Sequence, residues 1–269
     1  MPMLPVPGLP ADRLQRLART VDDAARQAKA IPMLTSEPPG LTLEAAYAVQ
    51  RASMQLRVGR GERVVGMKMG LTSLAKMRQM GVHEPIYGHL TDAMVLGDGA
   101  NFDPSKACHP RVEPEIAFIL GEDLQGPTTP AQAMRAVASV HAALEIIDSR
   151  YQAFQFTLPD VVADNASSHA FVLGARGADP ARLDASNLGM VMEINGKAVQ
   201  LGSSAAIYEH PARSLAALAN MLHPHGEVLR AGWVVLAGGA TAAVALKPGD
   251  HARVLVDRLG SVEFFVNPL

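Results

Sequence analysis

Two glutamates one residue apart open the chemical reading. The segment Val112-Glu-Pro-Glu-Ile-Ala-Phe-Ile-Leu120 has the texture of a strand, and a two-residue period places Glu113, Glu115, Ala117 and Ile119 on one face. Close like charges inside a fold are costly, so this pair either faces water or shares a cation. Pro114 between them marks a strand edge or a bulge, because proline cannot donate to a ladder. A third carboxylate, Glu145, sits amid the apolar run Ala142-Ala-Leu-Glu-Ile-Ile-Asp148. Such a glutamate needs a partner, either an arginine such as Arg150 or a metal ion. Three converging carboxylates would suit Mg²⁺ or Mn²⁺, hard ions that take oxygen ligands.

Lys68 is the second anomaly. In Val64-Val-Gly-Met-Lys-Met-Gly70 it shares a strand face with Gly66 and Gly70, which leaves room for a ligand or marks an edge-strand lysine. Gly70-Leu-Thr-Ser73 leads into an expected helix whose first N–H groups either hold an anion or are capped by Thr72 or Ser73. Ala163-Asp-Asn-Ala-Ser-Ser168 reads as a polar loop, a ligand loop or a plain turn. Gly238-Gly-Ala-Thr241 allows close backbone approach to a ligand or forms a tight sheet corner. His89, His109 and His210 lack metal-helix spacing, and the single cysteine, Cys108, excludes an internal disulfide or a multi-cysteine zinc site.

The elements that must position these groups follow from periodicity. Apolar steps of three and four predict a helix over residues 12–29, and Thr42 caps a second one running to Leu56. Beyond Arg63, short apolar runs alternate with Gly, Pro, Asn and Asp. Strands are expected at 64–69, 112–120, 142–148, 189–194, 233–237, 242–246, 253–256 and 261–266. Asn195-Gly196 signals a two-residue hairpin. Helices are expected at 73–80, at 130–141 behind a Thr129 cap, and at 211–222 with proline in the first turn. The fold class is therefore α+β: a helical segment, 1–62, ahead of a domain, 63–269, built on a curved or barrel-like sheet with helices outside it.

With 269 residues, 48% of them hydrophobic, the chain can bury a sizeable core, and a net charge of −2 with scattered basic residues argues against nucleic-acid binding. No apolar run is long enough for a membrane span and no signal-peptide layout is visible, so a cytoplasmic protein with a small-molecule partner is expected. Nucleophile-elbow, P-loop and dinucleotide fingerprints are missing from the sequence.

From about Thr42 to Val266 the chain resembles the 2-oxopent-4-enoate hydratase and 4-oxalocrotonate decarboxylase family of the fumarylacetoacetate hydrolase-like superfamily. The resemblance is carried by Gly66-Met-Lys-Met-Gly-Leu-Thr-Ser73, Met77-Arg-Gln-Met-Gly-Val82, His109-Pro-Arg-Val-Glu-Pro-Glu115, Glu145-Ile-Ile-Asp-Ser-Arg-Tyr151, Val162-Ala-Asp-Asn-Ala-Ser-Ser168 and Gly238-Gly-Ala-Thr-Ala-Ala-Val244. It implies a mixed β-roll, Mg²⁺ or Mn²⁺ on Glu113, Glu115 and Glu145, and catalytic roles for Lys68 and Ser167. It further implies substrate contacts from Leu71, Thr72, Ile86, Tyr87, Ser168 and Thr241. Hydratases of the family carry Pro-Asp-Phe-Gly where this chain has Pro85-Ile-Tyr-Gly88. Ile86 removes the acid that would manage protons for adding water and leaves a dry patch suited to carboxylate loss. The expected reaction is decarboxylation of a 2-oxo dicarboxylate, 2-oxohex-3-enedioate, in aromatic catabolism. Hydration of 2-hydroxypenta-2,4-dienoate and a non-catalytic role beside a hydratase are the alternatives. A homo-oligomer and a complex with the pathway hydratase are the partners the resemblance implies.

Overall fold

The computed structural model describes residues 8–73, 77 and 84–268; the helix expected at 73–80 and the string from Met77 to Val82 lie outside them apart from Ser73 and Met77. Along the chain come strands β1 (Val64–Gly70), β2 (Ile86–Thr91), β3 (Val95–Leu96), β4 (Asn101–Phe102), β5 (Pro110–Leu120), β6 (Val137–Asp148) and β7 (Ser168–Leu173). They are followed by β8 (Gly189–Ile194), β9 (Lys197–Ser203), β10 (Val234–Gly239), β11 (Val244–Ala245), β12 (His251–Val256) and β13 (Gly260–Val266). The described α-helices are α1 (Ala11–Gln27), α2 (Leu43–Gly59), α3 (Pro130–Arg135), α4 (Leu158–Ala163) and α5 (Pro211–Leu222). A large mixed sheet runs β2-β1-β10-β5-β6-β7-β3, with β11 also beside β5, and a smaller sheet runs β4-β13-β12-β8-β9. This is the α+β roll expected, with helices at the N-terminal end.

Strand alternation divides the large sheet into two faces with different tasks. Met67, Met69, Tyr87, Ile116, Phe118, Leu144, Ile146 and Val235 point into the main core, against Met192, Val254, Val262 and Phe264 of the smaller sheet and Leu215, Leu218 and Leu222 of α5. Each such side chain contributes about 1.5–3 kcal/mol by leaving water. The opposite face carries Lys68, Glu113, Glu115 and Glu145 beside an apolar floor of Leu90, Ala117, Ala143, Phe171 and Leu236. A third cluster joins α1 and α2 to Ile86, Tyr151, Val161 and Val162. Buried Gln50 of α2 ties this cluster down, its Nε2 donating to the carbonyls of Tyr87 at 2.9 Å and Val162 at 2.8 Å. Among the described residues no helix is long and apolar enough to cross a membrane.

Local chemistry explains most boundaries. Thr42 Oγ1 accepts from the Ala45 N–H at 3.2 Å, and Thr129 forms a capping box with Gln132. Asn195 and Gly196 have φ of 52° and 72°, the positive values a two-residue hairpin demands. The helix expected to run from Pro130 to His141 is corrected: α3 stops at Arg135 and β6 begins at Val137. Ala133, Val137 and Val140 fit a helical period, but a long ladder from Leu120↔Val137 to Pro110↔Asp148, with one register shift between Ile119 and Leu120, outweighs one more turn of helix. The glycines flanking Lys68 also differ from expectation, because they admit neighbouring strands and not a ligand. A Cβ on Gly66 would lie 2.1 Å from the Val234 carbonyl oxygen, and one on Gly70 would lie 3.1 Å from Ile86.

Pro114 sits at the centre of the large sheet, where proline is normally excluded. Its carbonyl accepts from Ala240 at 2.9 Å, so its nitrogen faces the same side, where the β10 register slips between Leu236 and Gly239 before β11 takes over. The missing donor falls at a bulge in the partner strand.

Candidate active site

Antiparallel pairing of β5 and β6 makes Glu113 and Glu145 cross-strand partners, and the two-residue period puts Glu115 on the same face. One carboxylate oxygen from each lies within 4.8 Å of the other two. Glu115 and Glu145 are fully buried, and Glu113 is half-buried. Gly238 donates its N–H to Glu115 Oε2 at 2.7 Å. Among the described residues Glu115 Oε1 and Glu145 Oε1 have no hydrogen-bond partner, and Glu145 Oε2 has an ion-pair contact without a well-directed hydrogen bond. Buried carboxylate oxygens left without donors are costly, and a hard divalent cation would supply what they lack. The donor set therefore fits Mg²⁺ or Mn²⁺.

Lys68, 3% exposed in mid-β1, places Nζ 2.9 Å from Glu145 Oε2 and donates to the Ala166 carbonyl at 3.0 Å. Burial works against its charge, but Glu145 and Glu115 outweigh burial and hold its pKa above the usual lysine value. Lys68 is an ammonium. Burial lifts Glu115 well above the carboxylate range, with repulsion from Glu145 and Glu113 added and Lys68 opposing. Glu145 is raised by burial despite Lys68. One ammonium cannot balance three ionised carboxylates, and a dication would favour their ionised forms. Arg150, the alternative partner for Glu145, is engaged elsewhere, 3.4 Å from Asp164.

The other expected residues fall into three groups. Ile86 is 4% exposed and shares the Lys68 face, since Gly70↔Ile86 and Lys68↔Gly88 are neighbouring pairs. Thr72, 2% exposed, packs on Gly238, whose φ is 114° and whose Cβ would lie 2.2 Å from Thr72 Oγ1. Ser167 is 4% exposed, with its Oγ unpartnered among the described residues and its φ at 58°. Leu71, with φ of 56°, rests on the N-terminal apolar cluster, Ser168 turns its Oγ to Met94 Sδ at 3.8 Å, and half-buried Thr241 contacts Gly202. Tyr87 faces the other way. It pairs with Met69 on the core face and stacks on Tyr47 at 4.5 Å, so alternation points it away from Lys68.

Sequence reasoning missed the backbone groups. The Ala166 carbonyl and the Gly238 N–H touch the charged cluster, yet neither residue type announces such a role. Gly239 had a readable signal in its glycine pair: a Cβ there would lie 2.7 Å from Glu113 Oε2. Asn165, Ala166 and Ser167 hold φ of 51°, 50° and 58°, a left-handed run without glycine that costs on the order of 1 kcal/mol or more per residue.

Comparison with known proteins shows the family. Residues 63–267 match the fumarylacetoacetate (FAA) hydrolase C-terminal family model, and the chain belongs to that family. It is 50% identical over 252 residues to a 4-oxalocrotonate decarboxylase from a Pseudomonas species, covering 94% of this chain and 97% of that protein. A 2-hydroxyhexa-2,4-dienoate hydratase from Comamonas testosteroni is 38% identical, with coverage of 90% and 94%. The 4-oxalocrotonate decarboxylase from Pseudomonas putida G7, solved with magnesium and adipate, superposes with a TM-score of 0.93 at 42% identity over 96% of this chain and 98% of that one.

Proposed function

We propose that this chain decarboxylates 2-oxohex-3-enedioate to 2-hydroxypenta-2,4-dienoate and CO₂, with Mg²⁺ held by Glu113, Glu115 and Glu145. The carrying observation is the convergence of three carboxylates, two of them fully buried with oxygens lacking donors, beside a buried ammonium. The adipate bound by the Pseudomonas putida G7 enzyme is a six-carbon dicarboxylate, the size of this substrate. When bound, the cation supplies Lewis acidity that draws electron density toward the 2-oxo group.

The protein's own groups set the rest of the reaction. The C5–C6 bond breaks, its electron pair passes through the conjugated double bond to the 2-oxo oxygen, and CO₂ leaves. Lys68 Nζ, held by the Ala166 carbonyl, is the proton donor or orienting charge for the dienolate that forms. Ile86 and the apolar floor keep water from the leaving carboxylate, whose charge is then poorly solvated. Ser167, Thr72, Leu71, Ser168 and Thr241 are the proposed substrate contacts, Ser167 Oγ nearest in character to a free hydroxyl. A homo-oligomer in the cytoplasm, in complex with the pathway hydratase, belongs to the same proposal.

The test is CO₂ release from 2-oxohex-3-enedioate with Mg²⁺ and with chelator. Chelation should abolish it; full turnover without metal would refute the scheme. Formation of 4-hydroxy-2-oxopentanoate from 2-hydroxypenta-2,4-dienoate would show a hydratase instead.

A further inference from the structure

The left-handed turn that carries the Lys68 acceptor is gripped from outside by a single arginine. Three successive non-glycine residues with positive φ do not hold themselves, because local sterics favour other conformations. The Arg150 N–H donates to Asp164 Oδ2 at 3.0 Å, its Nη1 lies 3.4 Å from Asp164 Oδ1, and its Nη2 donates to the Ser168 carbonyl at 2.5 Å. Asp164 precedes the turn and Ser168 follows it. Nη1 also donates to the Asp148 carbonyl at 2.7 Å, which fastens the grip to β6, the strand bearing Glu145. At the crown, the Asn165 side chain accepts from the His89 N–H at 2.8 Å and donates to the His89 carbonyl at 2.9 Å. Between these anchors the Ala166 carbonyl takes the Lys68 ammonium.

These contacts close a ring: Glu145 on β6, Arg150 two residues beyond that strand, the turn, Lys68, and back to Glu145. We propose that Arg150 and Asp164 are positioning residues for Lys68, fixing the Ala166 carbonyl so that the ammonium stands at a set place over Glu145. The inference rests on the decarboxylase reading and deepens it. Arg150 Nη1 and Nη2 and both Asp164 carboxylate oxygens are spent on each other and on main-chain groups around the turn, so their influence passes through the turn.

The experiment uses the full-length Mg²⁺-loaded enzyme and the near-isosteric Asp164→Asn, with Arg150→Lys as a second variant should the first fold poorly. We expect kcat for CO₂ release to fall about tenfold or more while KM stays within roughly threefold, the pattern of a lost transition-state interaction. In a Lys68→Met background the same Asp164→Asn change should alter the residual rate less than about twofold, because the group it positions is gone. Equal losses in both backgrounds, or wild-type kcat in a folded Asp164→Asn enzyme, would overturn the proposal. A wild-type enzyme that releases no CO₂ would sink the decarboxylase reading alone. In that event the crystal structure of Asp164→Asn decides: an Ala166 carbonyl displaced from Lys68 supports the positioning role, and an unchanged turn ends it.

Discussion

Glu113 and Glu145 stand directly opposite one another on β5 and β6, so two acids occupy a position where a sheet ordinarily places an attractive pair. With Glu115 on the same face, the strands are brought together against their own charge. Removing one acid should therefore have opposite effects on folding and function. Glu115→Gln is expected to raise the stability of the metal-free protein by about 1 kcal/mol and to abolish Mg²⁺-dependent turnover. Glu145→Gln abolishes turnover too, but strands the Lys68 ammonium and lowers stability. Thermal unfolding in chelator, read beside CO₂ release, separates the two.

Metal binding should expel protons. Burial and mutual repulsion raise Glu115 well above the usual carboxylate range and raise Glu145 as well, so the metal-free site retains protons at pH values where an exposed carboxylate has lost them. A cation favours the ionised forms. Mg²⁺ affinity must then fall as pH falls through the raised values, and binding at fixed pH must release protons to buffer. Titration calorimetry in two buffers of different ionisation enthalpy measures this; identical heats would show that the trio is already ionised.

Gly239→Ala tests how closely Glu113 is confined. The added methyl would meet the carboxylate end of Glu113, a movable group, so the side chain yields and the fold does not. We expect Mg²⁺ affinity to drop about tenfold, as for loss of an orienting contact on a metal ligand, with the melting temperature nearly unchanged.

Ile86→Asp restores an acid on the Lys68 face. Because position 86 is 4% exposed, the change should cost stability on the order of 2 kcal/mol and reduce CO₂ release at least about tenfold. Assay with 2-hydroxypenta-2,4-dienoate shows whether the new carboxylate supports addition of water.

The parts of the site that could be read from sequence were those where a charged residue interrupts an apolar period. Glu113, Glu115, Glu145 and Lys68 each break such a run, and the strands at 189–194 and helix at 211–222 fall at the expected residues. The direction of Tyr87 was not legible because a motif gives residue identity without the face of the strand, which only its pairing with Met69 reveals. The stretch after Arg135 was misread because alanines and valines satisfy a helical period and a strand period alike, and the choice rests with β5, far away in sequence. The Ala166 carbonyl was hidden for a deeper reason, since main-chain atoms are common to all residues and only backbone conformation aims them.

The bulge opposite Pro114 has an evolutionary corollary. Because the central strand offers no amide there, the connection between Gly239 and Val244 is tied to β5 by the bond from the Ala240 N–H to the Pro114 carbonyl, and beyond Ala240 it can lengthen, shorten or change composition. This seam lies beside the carboxylate trio, so variation in substrate shape among related chains should be recorded in these few residues, while the strands on either side stay fixed.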